Sequence, residues 1–370
     1  MIINILKSKP LQKVLNPGYN KVTKVEEGNI CIILSVTNKL GDLIIHNFLV
    51  QQMALYGYSM SYAISEPFHA TFRNFFDNHC MAEKKWVLPN NIFQWPRFII
   101  ALRNAKIKAV IVDEYPQISS VFFYLAGVPV ILNPQGTKLA FHSQEYKIEK
   151  LKLHYTELVF VLVNLLSKTH AFKTHRIAPY FPFRRVHVKA LAEGGDSSLT
   201  LHIGGGNYWN RRWPMEKYVE MGKRFLENYD DKIYLVGGRE EYEANEQIKE
   251  ALKKYSSQGR VVNFCGVDLH TTATIISATG LFIGNDSGLL HMAVGLNRRV
   301  IGIYGPSPIQ VVNPTRYDKR NGTVHASLDC VPCLQRECKL PDAQKFSCLT
   351  EISVDNVWKQ VQLAMPVGVR

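Results

Sequence analysis

The most specific chemistry-bearing segment of the sequence is Gly284-Asn285-Asp286-Ser287-Gly288, with His291 close behind it. An apolar run precedes this segment and a helical pattern follows it. A helix that begins at Ser287 would direct backbone N–H groups and the positive end of its dipole outward, and this arrangement binds anions such as a diphosphate. Asp286 and His291 would flank the anion. The alternative is structural: Asp286 or Ser287 caps the helix, and His291 packs inside the protein.

Glycines and arginines follow another predicted strand, between residues 201 and 214. Three consecutive glycines, among them Gly205, expose backbone N–H groups, and Arg212 lies shortly before a proline suited to the first turn of a helix. The segment is not the dinucleotide fingerprint G-x-G-x-x-G, because Trp209 replaces the third glycine. We expect Arg212 to hold an anionic ligand. A solvated arginine at the start of a helix is the alternative.

An aspartate stands at a third strand-to-helix turn, in the segment Thr37-Asn38-Lys39-Leu40-Gly41-Asp42. Gly41 permits a tight turn, and Asp42 lies where a helix begins. The Asp42 carboxylate is either an N-cap or a base that takes a proton from a bound hydroxyl group. Taken alone, the motif favours the cap.

Four of the seven cysteines lie close together near the C-terminus, at Cys330, Cys333, Cys338 and Cys348. Cys330 and Cys333 have the C-x-x-C spacing of a metal clip, and four thiolates complete a tetrahedral site for zinc or iron. We expect a structural role, in which the metal holds the loop that precedes the last helix. A reduced cluster without metal is the alternative.

Alternating strands and helices are needed to position these segments, and the sequence supplies them. Short β-branched runs predict strands at 30–36, 107–113, 128–132, 199–203, 232–236, 260–265, 281–284 and 300–304. Amphipathic stretches predict helices at 43–56, 92–104, 215–228, 242–255, 287–296 and 353–365. This alternation indicates an α/β fold of parallel sheets covered by helices on both faces. Ligands of such sheets bind at the carboxyl ends of the strands.

The composition fits two such lobes. The chain has 370 residues, 46% of them hydrophobic and 20% charged, which supports a large core and excludes a disordered tail, a coiled coil and a disulfide mini-protein. Residues 178–198 are rich in turn formers. We therefore predict a first lobe at 1–185, a second lobe at 186–350, and a helix at 351–370 that returns toward the first lobe.

Charge and terminal sequence predict where the protein works. The start of the chain is too short and too early charged for a signal-peptide core, and the run at 158–166 is too short to cross a bilayer. We predict a cytoplasmic protein. The net charge of +13 favours acidic partners. Basic residues between 147 and 185 predict contact with an anionic membrane surface, a solvated basic face being the alternative.

Together these residues resemble the ADP-heptose:lipopolysaccharide heptosyltransferases, glycosyltransferase family 9, over most of the chain after residue 30. The segment 284–291 is similar to the family's nucleotide-diphosphate signature and is the strongest match. Gly41-Asp42 resembles the family's N-terminal Gly-Asp, and Arg212-Trp213-Pro214 resembles its basic residue-Trp-Pro. The cysteine pattern is similar to the iron-binding finger of the subgroup that heptosylates autotransporter proteins. One position departs from the family pattern. The family has an arginine about six residues before the base, and this chain has Val36 there.

The resemblance implies a fold of GT-B type, with two Rossmann-like lobes facing each other across a cleft. It also implies inverting transfer of a heptose from ADP-heptose to an acidic glycolipid, the inner core of lipopolysaccharide. The lobe at 1–185 would then bind the acceptor and carry the base, Asp42. The lobe at 186–350 would bind the nucleotide sugar, and its Arg212 would stabilise the departing diphosphate. Such an acceptor implies a peripheral location at the inner membrane. The residues expected to bind the donor are Gly205, Asn207, Glu241 with Glu243 in reserve, Asp286, Ser287, Gly288, Leu289 and His291. Because the chain contains no Asp-x-Asp, we expect no catalytic divalent metal.

Three other functions stay open at this point. A protein O-heptosyltransferase acting on autotransporter serines is the nearest, and the cysteine cluster favours it. A nucleotide-sugar epimerase could use the same two-lobed fold without any acceptor. A nucleic-acid-binding module would explain the basic charge but not Asp42 or segment 284–291, so we expect no nucleic-acid partner.

Overall fold

A computed structural model gives the structure of the chain. It describes residues 31–36, 40–41, 43–44, 47, 59–65, 84–89, 91–112, 119–128, 130–133, 144–145, 181, 183–189, 191, 197–205, 211–256, 259–333 and 338–365. The chain divides into two compact units, Met1–His175 and Arg176–Arg370. Within the described residues, no helix is both long enough and apolar enough to cross a membrane.

The first unit contains a six-stranded parallel sheet in the order β3-β2-β1-β4-β5-β6. Its strands are Cys31–Val36 (β1), Ser59–Ser65 (β2), Lys84–Leu88 (β3), Ala109–Val112 (β4), Val130–Asn133 (β5) and Gln144–Glu145 (β6). Its described helices are Trp95–Asn104 (α1), after a 3-10 turn at Ile92–Gln94, and Ser119–Leu125 (α2). The predicted strands at β1, β4 and β5 are confirmed. Strand β2 was not predicted, since the predictions rested on β-branched runs and Ile64 is its only β-branched residue.

The second unit repeats this architecture, with a six-stranded parallel sheet in the order β12-β11-β10-β7-β8-β9. Its strands are Leu199–His202 (β7), Ile233–Val236 (β8), Val261–Asn263 (β9), Leu281–Asn285 (β10), Arg299–Tyr304 (β11) and Gly322–His325 (β12). Its described helices are Met215–Asn228 (α3), Tyr242–Leu252 (α4), Leu269–Ala278 (α5), Gly288–Gly295 (α6), Ile309–Val312 (α7), Ser347–Thr350 (α8) and Val354–Ala364 (α9).

The core of the second unit holds this sheet against α3 and α9. Strands β7 and β8 are buried along their whole length, as expected for a parallel sheet covered on both faces. Helix α9 packs on this core through Val357 and Val361, neither of which is exposed. The predicted return of the last helix toward the first lobe concerns the relation between the units and stays a prediction.

The segment that leads into the second unit is tied to it by its backbone. The N–H of Phe181 donates to the carbonyl of Gly295 at 2.8 Å, and the N–H of Val186 donates to Thr274 Oγ1 at 3.1 Å. The predicted lobe boundary at 185/186 falls at the end of this segment, whereas the division between the units follows His175.

Candidate functional site

Polar and glycine-containing segments of the second unit meet at one edge of its sheet. Strand β7 runs parallel to both β8 and β10 and lies between them. The carboxyl ends of the three strands are therefore side by side. Gly204 and Gly205 follow β7, the turn that contains Glu241 follows β8, and Asp286 follows β10. Parallel sheets of this kind bind ligands at this edge.

Asn285, the last residue of β10, fixes two neighbouring segments. Its Nδ2 donates to the carbonyls of Ile203 and Gly204 at 2.8 and 3.1 Å, and its Oδ1 accepts the N–H of Trp213 at 3.0 Å. One buried amide thus joins the glycine turn after β7 to the arginine-bearing segment before α3. Leaving one of these buried groups without a partner would cost about 1–3 kcal/mol.

Asp286 is a buried carboxylate with basic and hydroxyl groups around it. Arg211 Nη1 and Ser307 Oγ donate to its Oδ2 at 3.0 and 2.5 Å. His291 Nε2 lies 3.7 Å from its Oδ1. These groups come from three different segments, so their meeting at Asp286 depends on the fold of the whole second unit.

The surroundings of Asp286 keep it ionised. Burial by itself would raise the pKa of this carboxyl, but His291, Arg211 and Ser307 outweigh burial and lower the pKa to about 2. A carboxylate with such a low pKa accepts hydrogen bonds and does not donate them at ordinary pH. Asp286 is therefore suited to bind hydroxyl groups of a ligand.

Glu241 is the second buried carboxylate at this edge, and it has fewer donors. Its Oε2 accepts the N–H of Gly238 at 2.6 Å, and Arg212 Nη2 lies 3.4 Å from its Oε1, which is long for a charged hydrogen bond. Gly204 makes this placement possible, because a Cβ there would collide with Oε1 of Glu241. The glycine turn after β7 and the carboxylate after β8 are thus in direct contact.

The neighbours of Glu241 shift its pKa in opposite directions. Burial and the nearby charge of Glu240 raise the pKa of Glu241, while the Gly238 N–H and Arg212 act in the other direction without cancelling them. Its negative charge is incompletely compensated. A ligand that donates hydrogen bonds to Glu241 would therefore be attracted to it.

The turn after β10 starts a helix, as the sequence predicts. Ser287 is the N-cap of α6, and its Oγ accepts the N–H of Leu290 at 3.3 Å. The first turn of a helix carries N–H groups without partners in that helix and the positive end of the dipole. Ser287, Gly288 and Leu289 are half-buried rather than enclosed, so this end of the helix can be reached by a ligand.

A neutral histidine lies beneath the glycine turn. His202 ends β7, and its Nδ1 lies 3.1 Å from the carbonyl of Val236. Because a carbonyl only accepts hydrogen bonds, Nδ1 carries the proton. Burial lowers the pKa of His202 to about 4, so the ring is uncharged at neutral pH. His202 thus adds no charge to the edge.

The cysteine-bearing stretch supports the arginine-bearing segment. Trp213 Nε1 and Lys217 Nζ donate to the carbonyl of Ile352 at 3.0 and 2.8 Å, and Lys217 also donates to the carbonyl of Thr350. Thr350 ends the short helix α8, which contains Cys348. On another side, the N–H of Cys333 donates to the carbonyl of Pro306 at 2.8 Å, next to Ser307. Cys333 and Cys348 are therefore close in the fold to two of the segments that surround Asp286.

The four cysteines are free thiols. Burial, together with the charges of the other three, raises the pKa of the Cys348 thiol to about 11, which disfavours its thiolate. Among the residues that the structure describes, no three His, Cys, Asp or Glu side chains are arranged to hold a metal ion. As arranged, these thiols do not fit zinc or iron, and the site at Cys330, Cys333, Cys338 and Cys348 stays a prediction.

The structure brings most of the predicted donor-binding residues to this one edge. They are Gly205, Arg212, Glu241, Asp286, Ser287, Gly288, Leu289 and His291. Glu243, the reserve for Glu241, is exposed on α4. Asp42 and Asn207 lie outside the described residues.

Sequence reasoning missed three contributors to the site. Arg211, not Arg212, contacts Asp286, and nothing in the Arg-Arg doublet distinguishes the two. Asn285 belongs to the predicted motif, but the motif does not reveal that it joins two segments. Ser307 follows the Gly-Pro turn after β11, and the rule that functional residues follow parallel strands could have found it.

Comparisons with known proteins identify relatives of this chain in sequence and in fold. The family model for glycosyltransferase family 9 (heptosyltransferase) matches residues 97–344. Lipooligosaccharide heptosyltransferase 2 of Campylobacter jejuni is 27% identical over 224 residues, which are 60% of this chain and 66% of that protein. Lipopolysaccharide heptosyltransferase 2 of Escherichia coli K12 is 33% identical over 112 residues, 30% of this chain and 31% of that protein. The chain thus spans less than two thirds of the length of these relatives.

Solved structures share the fold at low sequence identity. E. coli ADP-heptose lipopolysaccharide heptosyltransferase II has a TM-score of 0.68 and 17% identity, covering 91% of this chain and 99% of its own. The dodecameric, iron-containing glycosyltransferase TibC of enterotoxigenic E. coli has a TM-score of 0.53 and 12% identity, covering 92% and 79%. The predicted α/β fold of GT-B type is confirmed by these likenesses. Since the family model covers more than half of its length, the chain belongs to glycosyltransferase family 9, the heptosyltransferase family.

Proposed function

We propose that the protein is an inverting glycosyltransferase that moves a heptose from ADP-heptose to the inner core of lipopolysaccharide. The observation that carries this proposal is Asp286, a buried carboxylate kept ionised by its neighbours and placed directly before the N-terminus of α6. A group that binds hydroxyls and a helix end that binds anions are thereby adjacent. A sugar attached to a diphosphate offers hydroxyl groups to the first and negative charge to the second.

The diphosphate is the part of the donor that needs positive charge. Arg212, which lies beside Glu241, and the N–H groups of Ser287, Gly288 and Leu289 supply it in this proposal. Arg211 adds a second guanidinium at the same edge. Two arginines and a helix terminus then do the work that a divalent metal does where Asp-x-Asp is present.

The two carboxylates bind the two sugars of the donor. Asp286 accepts hydrogen bonds from heptose hydroxyls. Glu241 has one backbone donor and a distant Arg212, so it retains acceptor capacity for the adenosine ribose. The neutral His202 and the glycine turn lie next to Glu241 and add no charge there.

The chemical step needs a base as well. In this proposal the Asp42 carboxylate takes the proton of the acceptor hydroxyl, whose oxygen attacks the anomeric carbon of the heptose. The bond from that carbon to the diphosphate oxygen breaks, and ADP leaves with the electron pair. Attack opposite the leaving group inverts the anomeric centre.

Support for the donor and acceptor comes from the family. Its named relatives are lipooligosaccharide and lipopolysaccharide heptosyltransferases, and an E. coli heptosyltransferase of the same fold was solved with ADP-2-deoxy-2-fluoro heptose. The net charge of +13 suits an acidic glycolipid.

A transfer assay tests the proposal. The full chain is incubated with ADP-heptose and heptose-deficient lipopolysaccharide, and mass spectrometry measures addition of one heptose to the acceptor. Asp42→Asn should lower the rate about 100-fold or more. Transfer to an autotransporter passenger instead would favour the protein O-heptosyltransferase. Conversion of the donor without an acceptor would favour the epimerase, and no reaction in any arm would contradict the proposal.

A further inference from the structure

Helix α1 of the first unit presents an apolar and basic stripe to solvent. Phe93, in the turn before the helix, is 90% exposed, and Ile100 is 56% exposed. Arg97 is exposed between them, four residues after Phe93 and three before Ile100. Because residues three and four apart share one face of a helix, these side chains form a continuous stripe.

The opposite side of α1 is held firmly by aromatic packing. Trp95 and Phe98 each contact Phe122 edge-on, with ring centroids 4.8 and 5.6 Å apart, and Leu102 is 1% exposed. The core of the first unit therefore fixes which residues of α1 face outward. Exposure of Phe93 and Ile100 follows from this orientation and not from a loosely packed helix.

The stripe continues onto the end of α2. Arg103 is exposed on α1, and its Nη2 donates to the carbonyl of Leu125 at 2.7 Å, while Leu125 itself is 38% exposed. We call Phe93, Arg97, Ile100, Arg103 and Leu125 the α1 face.

The stretch of sequence that contains α1 is basic. From residue 84 to residue 112 the sequence contains six Lys and Arg residues and no Asp or Glu. Isolated apolar side chains on a surface need no explanation, but exposed phenylalanine and isoleucine among arginines are typical of segments that lie in the interface of an anionic bilayer. The same charge disfavours the pairing of this face with itself in a second copy of the chain.

We propose that the α1 face docks on an anionic lipid bilayer. Phe93 and Ile100 insert among the headgroups, while Arg97 and Arg103 bind lipid phosphates. The proposal goes beyond the transfer reaction, because it assigns a membrane contact to residues that take no part in donor binding. It also differs from the basic residues at 147–185, which lie outside the described part of the chain except for 181 and 183–185.

Vesicle sedimentation of the full chain tests this proposal. Phosphatidylcholine vesicles are compared with vesicles of phosphatidylcholine and phosphatidylglycerol in equal parts. We expect binding to the anionic vesicles, little binding to the neutral ones, and release at high salt. Phe93→Ser should lower the partition coefficient about tenfold or more, and Arg97→Glu should lower it similarly. Leu363→Ser is the matched control, since Leu363 is 77% exposed on the second unit, and it should bind as the wild type does.

Several results would overturn the proposal. They are absence of binding to anionic vesicles, equal binding of Phe93→Ser and Leu363→Ser, and equal binding to neutral and anionic vesicles. A dimer that Phe93→Ser dissociates would make a second copy the partner. Phe93→Ser should retain wild-type transfer to a water-soluble truncated acceptor, so a failure of the proposed reaction is seen separately from a failure of membrane docking.

Discussion

Asp286 and Glu241 are both buried carboxylates at the same edge of the second sheet, yet their pKa values are shifted in opposite directions. Each lies beside one of two adjacent arginines, Arg211 and Arg212. Asp286 also has a hydroxyl donor and a histidine, whereas Glu241 has one backbone N–H and the charge of Glu240 nearby. Burial is common to both sites, so the donors around each carboxylate decide its charge.

This difference separates the roles of the two sites. Asp286 is fully compensated, stays ionised and can only accept hydrogen bonds. Glu241 is incompletely compensated and gains from a ligand that donates to it. Each prediction below alters one side of this contrast, from the largest expected effect to the smallest.

Asp286→Asn should have the largest effect. The amide has the shape of the carboxylate but no charge to hold Arg211, so kcat should fall about 100- to 1,000-fold in the transfer assay. Asp268→Asn is the control, because Asp268 is an exposed helix cap whose function an asparagine preserves. Turnover of Asp286→Asn close to that of the wild type would remove Asp286 from the mechanism.

Arg211→Ala and Arg212→Ala should differ in their pH dependence. Both lose positive charge near the diphosphate, and each should slow transfer about 100-fold or more. Only Arg211 contacts Asp286, so only Arg211→Ala should raise the pKa of Asp286. Its activity should therefore fall as the pH drops through the mildly acidic range, whereas Arg212→Ala should raise the pKa of Glu241 and leave that of Asp286 unchanged. Identical pH profiles of kcat/KM for the two variants would show that the two arginines do not act on different carboxylates.

Ser307→Ala should have a smaller effect in the same direction. Hydrogen bonds to charged groups contribute about 1.5–3 kcal/mol, so kcat/KM should fall about tenfold or more. The depressed pKa of Asp286 contributes stability that is present above its ordinary value of 3.8 and is lost as the pH falls toward 2. Without Ser307 this contribution should be smaller, and its loss should be complete at a higher pH. Ser307→Thr retains the hydroxyl and should restore both properties, and failure of Thr to do so would mean that packing alone explains the Ala variant.

Glu241→Gln should change stability by the smallest amount and with the opposite sign. Because the fold raises the pKa of Glu241, its contribution to stability is fully present below the ordinary value of 4.5 and is lost as the pH rises through the folded value. Gln cannot ionise, so this variant should melt at a higher temperature than the wild type near neutral pH, with the gain vanishing in acid. The exposed Glu243→Gln is its control and should melt as the wild type does. A lower melting temperature of Glu241→Gln at neutral pH would contradict the pKa direction.

Much of this site could be predicted from sequence, because local patterns determine it. Strand β10, its turn and helix α6 are adjacent in the chain, and apolar periodicity followed by Gly, Asp and Ser indicates them directly. Helix α3 was predicted with its observed bounds, since a proline precedes it and its apolar face repeats regularly.

The contacts between distant segments could not be predicted. Ser307 and Asp286 meet only because β10 and β11 are neighbours in the sheet. No short sequence pattern predicts the order of strands in a sheet. The choice of Arg211 as the partner of Asp286 depends on how Asn285 holds the backbone of Trp213. Strand β2 escaped prediction because the strand predictions rested on β-branched runs, and Ile64 is its only β-branched residue.

Calorimetric titration with ADP tests the central claim most directly, since it asks whether the edge formed by Arg212, Glu241 and the start of α6 is a nucleotide-diphosphate site. We expect the full chain to bind ADP in preference to UDP and GDP. Arg212→Ala should weaken that binding about tenfold or more, as expected for a charged hydrogen bond. An absence of ADP binding, or an affinity that Arg212→Ala leaves unchanged, would contradict the account.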